Sequence, residues 1–231
     1  HSGDSACCIP PFSLSEDIIS SIKKFSIGLS QELETIGLMN VQYAIKDNEI
    51  FILEANPRAS RTIPFLAKAI GIPFIKIAAE LIVGKTLSKE FIEFKPEELP
   101  YFAIKEAVFA FNKFPNTDVI LGPEMKSTGE VMGIDNDFDM AYLKSQIGAG
   151  QKLNNIKNIF ISVRDEDKEE ISHIAKLLSK NEFNIFTTRG TNEYLSKKGI
   201  DSKLINKVAE GSPHVVEYIK EDKLDLVINT T

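Results

Sequence analysis

Asn40–Thr62 reads NVQYAIKDNEIFILEANPRASRT. Residues 40–45 and 50–54 are rich in Val, Ile, Tyr and Phe, and Lys46-Asp47-Asn48-Glu49 between them is polar. That pattern predicts a β-hairpin. Side chains alternate along a strand, so Glu54 and Asn56 share one face and Leu53 and Ala55 the other. Gln42, between Val41 and Tyr43, also leaves the apolar face. Three oxygen-bearing side chains then converge on one side of the sheet. Carboxylate and amide oxygens suit hard cations such as Mg2+ or Mn2+, which bind phosphates alongside protein ligands. Arg58 and Arg61 follow at once. A guanidinium is a planar fork matched to phosphate or carboxylate oxygens. Metal ligands beside two arginines suit phosphoryl transfer, in which charge must be positioned and neutralised. Spacing alone leaves open a surface hairpin with a solvated, charged end.

Size and charge narrow the class. The 231 residues suffice for one or two domains with a buried core. Composition is that of an ordinary soluble protein, 43% hydrophobic and 26% charged. The net charge of −6 comes with no basic cluster, which argues against a nucleic-acid surface. No apolar run approaches membrane-spanning length. Cys7 and Cys8 are adjacent and the only cysteines, so no disulfide framework is implied, and a reducing compartment is the simpler view. A start at His1 without Met, and an end at Thr231 straight after a strand-like run, suggest a piece of a longer protein.

Elsewhere in the first part, helices alternate with less regular stretches. Ser13-Leu14-Ser15-Glu16 is a capping-box pattern, and Ile18, Ile22, Phe25, Leu29, Leu33 and Ile36 recur behind it at helical spacing. The spacing predicts a helix over 14–36, capped near Gly37, with its stripe in the core against the hairpin sheet. Short helices are expected over 63–69, closed by Gly71, and over 74–83, opened by Pro73 and ended by Gly84. Residues 85–100 suggest a loop with a short helical piece. Tyr101–Phe111 is strand-like but interrupted by Lys105 and Glu106, which on an edge strand would face solvent. Residues 112–133 carry two prolines and three glycines and suggest irregular structure, with a helix over 138–147.

Gly148-Ala149-Gly150 marks a domain boundary. Beyond it strands over 159–163, 183–187, 204–205 and 224–229 alternate with helices over 167–178, 192–198 and 214–220. Such alternation implies a doubly wound parallel sheet, whose ligands bind outside the carboxyl ends of the strands. Polar groups gather at those ends: Thr187-Thr188-Arg189-Gly190-Thr191, Asn229-Thr230-Thr231, Lys168 and Lys207. Thr188 or Thr191 alone would more often be an ordinary helix cap. Four strand ends loaded alike favour a phosphate site.

A resemblance goes further. Gln42 with EANPRASR over 54–61 looks like the metal and phosphate segment of ATP-grasp enzymes. With HSGDSA at 1–6, GLMNVQ at 37–42, FNKFPNTD at 111–118, LGPEMKSTGEVMG at 121–133 and INTT at 228–231, the whole chain resembles the large subunits of carbamoyl phosphate synthetases. The second ATP-grasp half of those subunits is the part that fits. This implies an α/β and α+β chain. Residues 1–149 would be the C-terminal portion of an ATP-grasp unit. Residues 150–231 would be a methylglyoxal-synthase-like allosteric domain, cut short at its C-terminus. Gln42, Glu54 and Asn56 would hold Mg2+ or Mn2+ on ATP, with His1, Ser2, Gln42 and Glu54 at the nucleotide. Arg58 and Arg61 would steady the phosphoryl group and the carbamate, with Lys105 near that end. Lys168, Thr188, Thr191, Lys207, Asn229 and Thr231 would bind a nucleotide effector.

The resemblance also implies a parent that consumes two ATP, bicarbonate and ammonia. A small glutamine amidotransferase subunit would supply the ammonia, in a cytoplasmic oligomer of heterodimers. Arginine synthesis, pyrimidine synthesis or both would be served. Two alternatives stay open: another ATP-grasp ligase of biotin-carboxylase type, and, for the isolated chain, a non-catalytic nucleotide-binding module.

Overall fold

The computed structural model describes residues 3–88, 91, 99–114 and 117–230, in two units, His1–Lys152 and Leu153–Thr231. His1, Ser2, Thr231 and most of the 85–100 segment therefore lie outside the described residues. In the first unit a short strand β1 (Cys7–Ile9) and helix α1 (Glu16–Glu32) precede the hairpin of β2 (Asn40–Lys46) and β3 (Glu49–Asn56). The hairpin turns on Asp47 and Asn48, at φ 52° and 63°. A turn with both central residues at positive φ matches the twist of the strands, and Asp and Asn tolerate that backbone. Gln42 lies opposite Glu54 and Asn40 opposite Asn56, and the register shifts between Gln42 and Tyr43. That bulge leaves Leu53 unpaired and restores alternation on either side of it.

Ser15 caps α1, its hydroxyl accepting the Ile18 N–H at 3.5 Å. The helix ends short of Gly37. Glu34 takes φ 48°, and the Thr35 N–H reaches back to the Ser30 carbonyl at 2.9 Å. This is a Schellman closure made without glycine. The stripe expected in the core is not there: no residue of α1 is buried, and Phe25, Leu33 and Ile36 are exposed. A two-stranded hairpin is too narrow to cover a 17-residue helix. A hydrogen bond between the Ser26 and Tyr43 hydroxyls, 2.8 Å, helps tie the two together.

Helices α2 (Ile63–Ile70) and α3 (Phe74–Ile82) follow the hairpin. Strands β4 (Phe102–Phe109) and β5 (Ser127–Asp135) then complete an antiparallel sheet in the order β1-β4-β5. Phe65 and Ala69 of α2 pack with Ala103 of β4 in its core. Two expectations are corrected here. β4 is the central strand, not an edge, and Lys105 on it is 5% exposed rather than solvent-facing. The 112–133 stretch is not irregular to its end, because β5 begins at Ser127.

The glycines that hid β5 have a use at Gly133. Helix α4 (Phe138–Gly148) lies so close that a Cβ on Gly133 would stand 2.0 Å from the Ala141 carbonyl oxygen and 2.5 Å from the Ser145 nitrogen. Backbone cannot yield there as a side chain would. Gly133→Ala is expected to destabilise the chain by about 2–3 kcal/mol through overpacking. Gly129→Ala, on the same strand with nothing within 4 Å of the added carbon, should cost far less. Urea unfolding of both variants checks this. Equal midpoints would mean that α4 and β5 are not packed so closely.

The second unit contains β6 (Asn158–Ser162), α5 (Lys168–Lys180), β7 (Asn184–Thr187), α6 (Arg189–Lys197), β8 (Lys203–Leu204), α7 (Val215–Lys220) and β9 (Leu226–Asn229). Its strands run parallel in the order β8-β7-β6-β9. Ile159, Ile161, Ile185, Ala175 and Leu195 form its core. The chain moves outward from β6 through β7 to β8, then returns to the other side of β6. The order therefore reverses between β6 and β9, and a ligand crevice is expected at their carboxyl ends.

Candidate functional site

The hairpin brings its three candidate ligands together. Gln42 and Glu54 are register partners, so their side chains leave the same face, and Asn56 follows two residues on. Gln42 and Glu54 are exposed and Asn56 half-buried. One carboxylate and two amides make an all-oxygen donor set, of the kind that would hold a hard divalent cation. Among the described residues no cluster of three or more His, Cys, Asp or Glu could hold a metal. Any cation here would therefore depend on amide and phosphate oxygens as well.

The two arginines part company. Arg58 is exposed and donates to the carbonyl of Ala59 at 2.9 Å. Arg61 reaches Met125 and lines a cavity of about 390 Å³ with Gly3, Lys105, Ser127 and Glu130. Lys105 and Glu130 also line an adjoining cavity of about 420 Å³. Strand alternation explains the division on β4. Glu106 faces the other way, one carboxylate oxygen accepting the Ala107 N–H at 3.1 Å and the second the Gln146 amide at 2.6 Å.

Lys105 has no hydrogen-bond or ion-pair partner among the described residues. Among the described residues no fully buried side-chain nitrogen or oxygen is left unpartnered, so its ammonium reaches the cavity that it lines. Cys7, paired with Lys105 across β1 and β4, is a neutral thiol. Burial pushes its pKa up, against the opposing pull of the lysine charge. An unpaired ammonium and a guanidinium in one cavity suit a small anion. Glu130 had no role legible in the sequence, because only the pairing of β5 with β4 brings it beside Lys105.

In the second unit the strand ends do converge. Thr188 is the N-cap of α6, yet its hydroxyl does not cap the helix; it meets the Ser162 hydroxyl at 3.1 Å. Thr191 lies inside α6 and its hydroxyl accepts the Val163 N–H at 3.4 Å. Both threonines are buried. Lys168 opens α5, pairs with Asp165 at 2.6 Å, and its ammonium would lie 3.3 Å from a Cβ on Gly190. It thus stands over the N-terminus of α6. Its hydrogen bond holds the Asp165 carboxyl below the usual carboxylate range.

Asn229 is the register partner of Ser162, and the Thr230 hydroxyl accepts the Arg164 N–H at 3.1 Å. Lys207 lies three residues beyond β8, exposed, and among the described residues no hydrogen bond ties it to the cluster. Ser162 escaped the sequence reading, and Thr230 was read there only as part of a polar strand end, without a role. The signal available was position alone, the last residue of β6 and the first after β9.

Residues 1–90 match the family described as the carbamoyl-phosphate synthase L chain, ATP binding domain, and residues 170–231 match the MGS-like domain. Fold and sites thus define a protein with an ATP-grasp segment followed by an MGS-like domain. Over its whole length the chain is 48% identical to the carbamoyl phosphate synthase large chain of Brucella suis and 50% identical to that of Myxococcus xanthus. It covers 20% and 21% of those relatives. It is also 47% identical to the carbamoyl phosphate synthase large chain, C-terminal section, of Aquifex aeolicus, and covers 46% of it.

The chain belongs to the carbamoyl phosphate synthase large chain family, in its C-terminal region, and spans about a fifth of the length of the large chains it matches. The biotin-carboxylase alternative is set aside by that full-length identity. Among the described residues no helix is long and apolar enough to cross a membrane.

Proposed function

We propose that the first unit belongs to the ATP-dependent centre that phosphorylates carbamate to carbamoyl phosphate, and that the second binds a regulatory nucleotide. The observation that carries the catalytic part is the cavity shared by the unpaired Lys105 ammonium and Arg61, on the chain that also holds the Gln42–Glu54 face. Gln42, Glu54 and Asn56 would hold Mg2+ or Mn2+, which when bound neutralises charge on the ATP phosphates. Arg61 and Lys105 hold a small anion by charge and by a planar fork. Arg58, close after Asn56 in the hairpin exit, supplies a second guanidinium toward the phosphates. No covalent protein nucleophile is needed, because positioning and electrostatics suffice for phosphoryl transfer. His1 and Ser2 would complete the nucleotide contacts.

The same reading assigns bicarbonate and ammonia as the parent's other substrates. It gives the parent a small glutamine amidotransferase subunit and a cytoplasmic assembly of heterodimers. Its experiment is ATP formation from carbamoyl phosphate and MgADP by the full-length large chain, compared with the 231-residue chain alone, which is expected to be inactive. An inactive full-length chain would overturn the assignment.

For the second unit, the buried hydroxyls of Thr188 and Thr191, Lys168 over the start of α6, and Asn229 beside Ser162 favour a phosphate group. Lys207 and Thr231 would add contacts from neighbouring strand ends. Lys168→Ala is expected to weaken nucleoside monophosphate binding at least tenfold, about 1.4 kcal/mol, and to flatten the regulatory response. Lys207→Ala should do so less, because its side chain is exposed. The effector-free rate should stay near wild type in both. Titrating nucleoside monophosphates against the activity of full-length variants checks this, and unchanged sensitivity in Lys168→Ala would reject the site.

A further inference from the structure

Asp4 is 6% exposed, and its carboxylate accepts two consecutive backbone N–H groups, Lys126 at 2.8 Å and Ser127 at 2.9 Å. The carbonyl of Gly3 accepts the Ser127 hydroxyl at 3.3 Å. Three bonds thus tie residues 3–4 to residues 126–127. Burial pushes the Asp4 carboxyl up, but the bonds from Lys126 and Ser127 outweigh it and leave the pKa below its ordinary value. Gly3 sits at φ 83°, and a Cβ there would stand 2.5 Å from the Met125 sulfur and 3.5 Å from an Arg61 nitrogen. The chain passes as close to Met125 and Arg61 as glycine allows.

The tie falls where the sheet gives least support. Ser127 is the first residue of β5, and among the described residues the loop directly before it has no strand partner. The Lys126 ammonium donates to the carbonyls of Asp118 and Ile120 at 3.0 and 2.9 Å, so the loop before β5 hangs from the same point. Met125 and Ser127 form the cavity wall that Arg61 and Lys105 share. Asp4 itself does not line that cavity.

We propose that Asp4 is a positioning residue for carbamate phosphorylation: its paired bonds fix the Met125–Ser127 wall against Arg61 and so hold the cavity in shape. This rests on the proposed activity of the first unit. A carboxylate can accept from both amides at once. An asparagine keeps one acceptor oxygen and turns an amino group toward the second N–H, and an alanine leaves both N–H groups unpartnered. Loss should therefore grow from Asp4→Asn to Asp4→Ala. It should fall on turnover rather than on nucleotide binding, because a misplaced wall spoils geometry that matters in the transition state.

The test uses the full-length large chain and follows ATP formation from carbamoyl phosphate and MgADP. Turnover is expected to fall about threefold in Asp4→Asn and about thirtyfold in Asp4→Ala, with the KM for MgADP within about twofold of wild type. Hydrogen exchange at the Lys126 and Ser127 amides, read on the same proteins, should speed up in the same order. Asp225→Ala is the control for a purely structural loss. That carboxylate also accepts two consecutive N–H groups, from Lys157 and Asn158, in the second unit. It should lower the unfolding midpoint without changing turnover. Faster exchange at 126 and 127 with unchanged turnover would leave Asp4 a fold residue and overturn the proposal, as would unchanged exchange. A wild-type chain that makes no ATP would overturn the parent activity and the positioning role together. An active wild type with equally active Asp4 variants would overturn the clamp alone.

Discussion

Glu54→Gln is expected to lower ATP formation from carbamoyl phosphate and MgADP by about 10²–10³-fold in the full-length chain, about 3–4 kcal/mol of transition-state stabilisation. Glu54 is the one carboxylate in a donor set otherwise made of amides, and it is the register partner of Gln42. The substitution keeps shape and hydrogen-bonding reach and removes the charge. It should leave the fold intact, because Glu54 is exposed on a hairpin whose register is set by Val41, Tyr43, Ile50 and Ile52. Asn56→Ala, which removes a neutral oxygen, should cost less. Mn2+ binding in the presence of nucleotide should weaken in parallel with the rate. Near-wild-type ATP formation by Glu54→Gln would remove the hairpin from the catalytic centre.

The hairpin and the βα repeats were legible because local rules decide them. Asp47-Asn48 sets a two-residue turn, and strands β6, β7 and β9 are short apolar runs bounded by polar ends. The three hairpin oxygens were legible for the same reason, since period-2 alternation is a local property. What failed depends on partners distant in sequence. The stripe of α1 has helical spacing, but whether it is buried depends on the width of the sheet beneath it, which spacing cannot report. Strand β5 was hidden by Gly129 and Gly133, because glycine lowers strand propensity, and the close approach of α4 that requires Gly133 is a tertiary fact. Thr188 and Thr191 could each have been caps. Only the parallel pairing of β6 with β7 turns the Thr188 hydroxyl toward Ser162. Glu130 and Asp4 owe their places to contacts with residues far along the chain.

Lys105→Met is expected to separate activity from stability. Lys105 is buried on the central strand of its sheet and has no acceptor or carboxylate partner among the described residues. Its stem is buried while its ammonium reaches the cavity, so an apolar side chain of similar length keeps the packing and should hold stability within about 1 kcal/mol. The same change removes the ammonium from the cavity shared with Arg61 and Glu130. If that charge holds carbamate or the transferred phosphoryl group, turnover should fall by about 10²–10³-fold, as for other preorganised charges at reacting centres. Activity lost at level stability is the expected mark of a functional residue. Urea unfolding and the rate of ATP formation from carbamoyl phosphate, measured on the same full-length preparations, decide the matter. A variant that is both less stable and less active would make Lys105 a residue of the fold, and one with wild-type activity would leave the cavity without a catalytic cation other than Arg61.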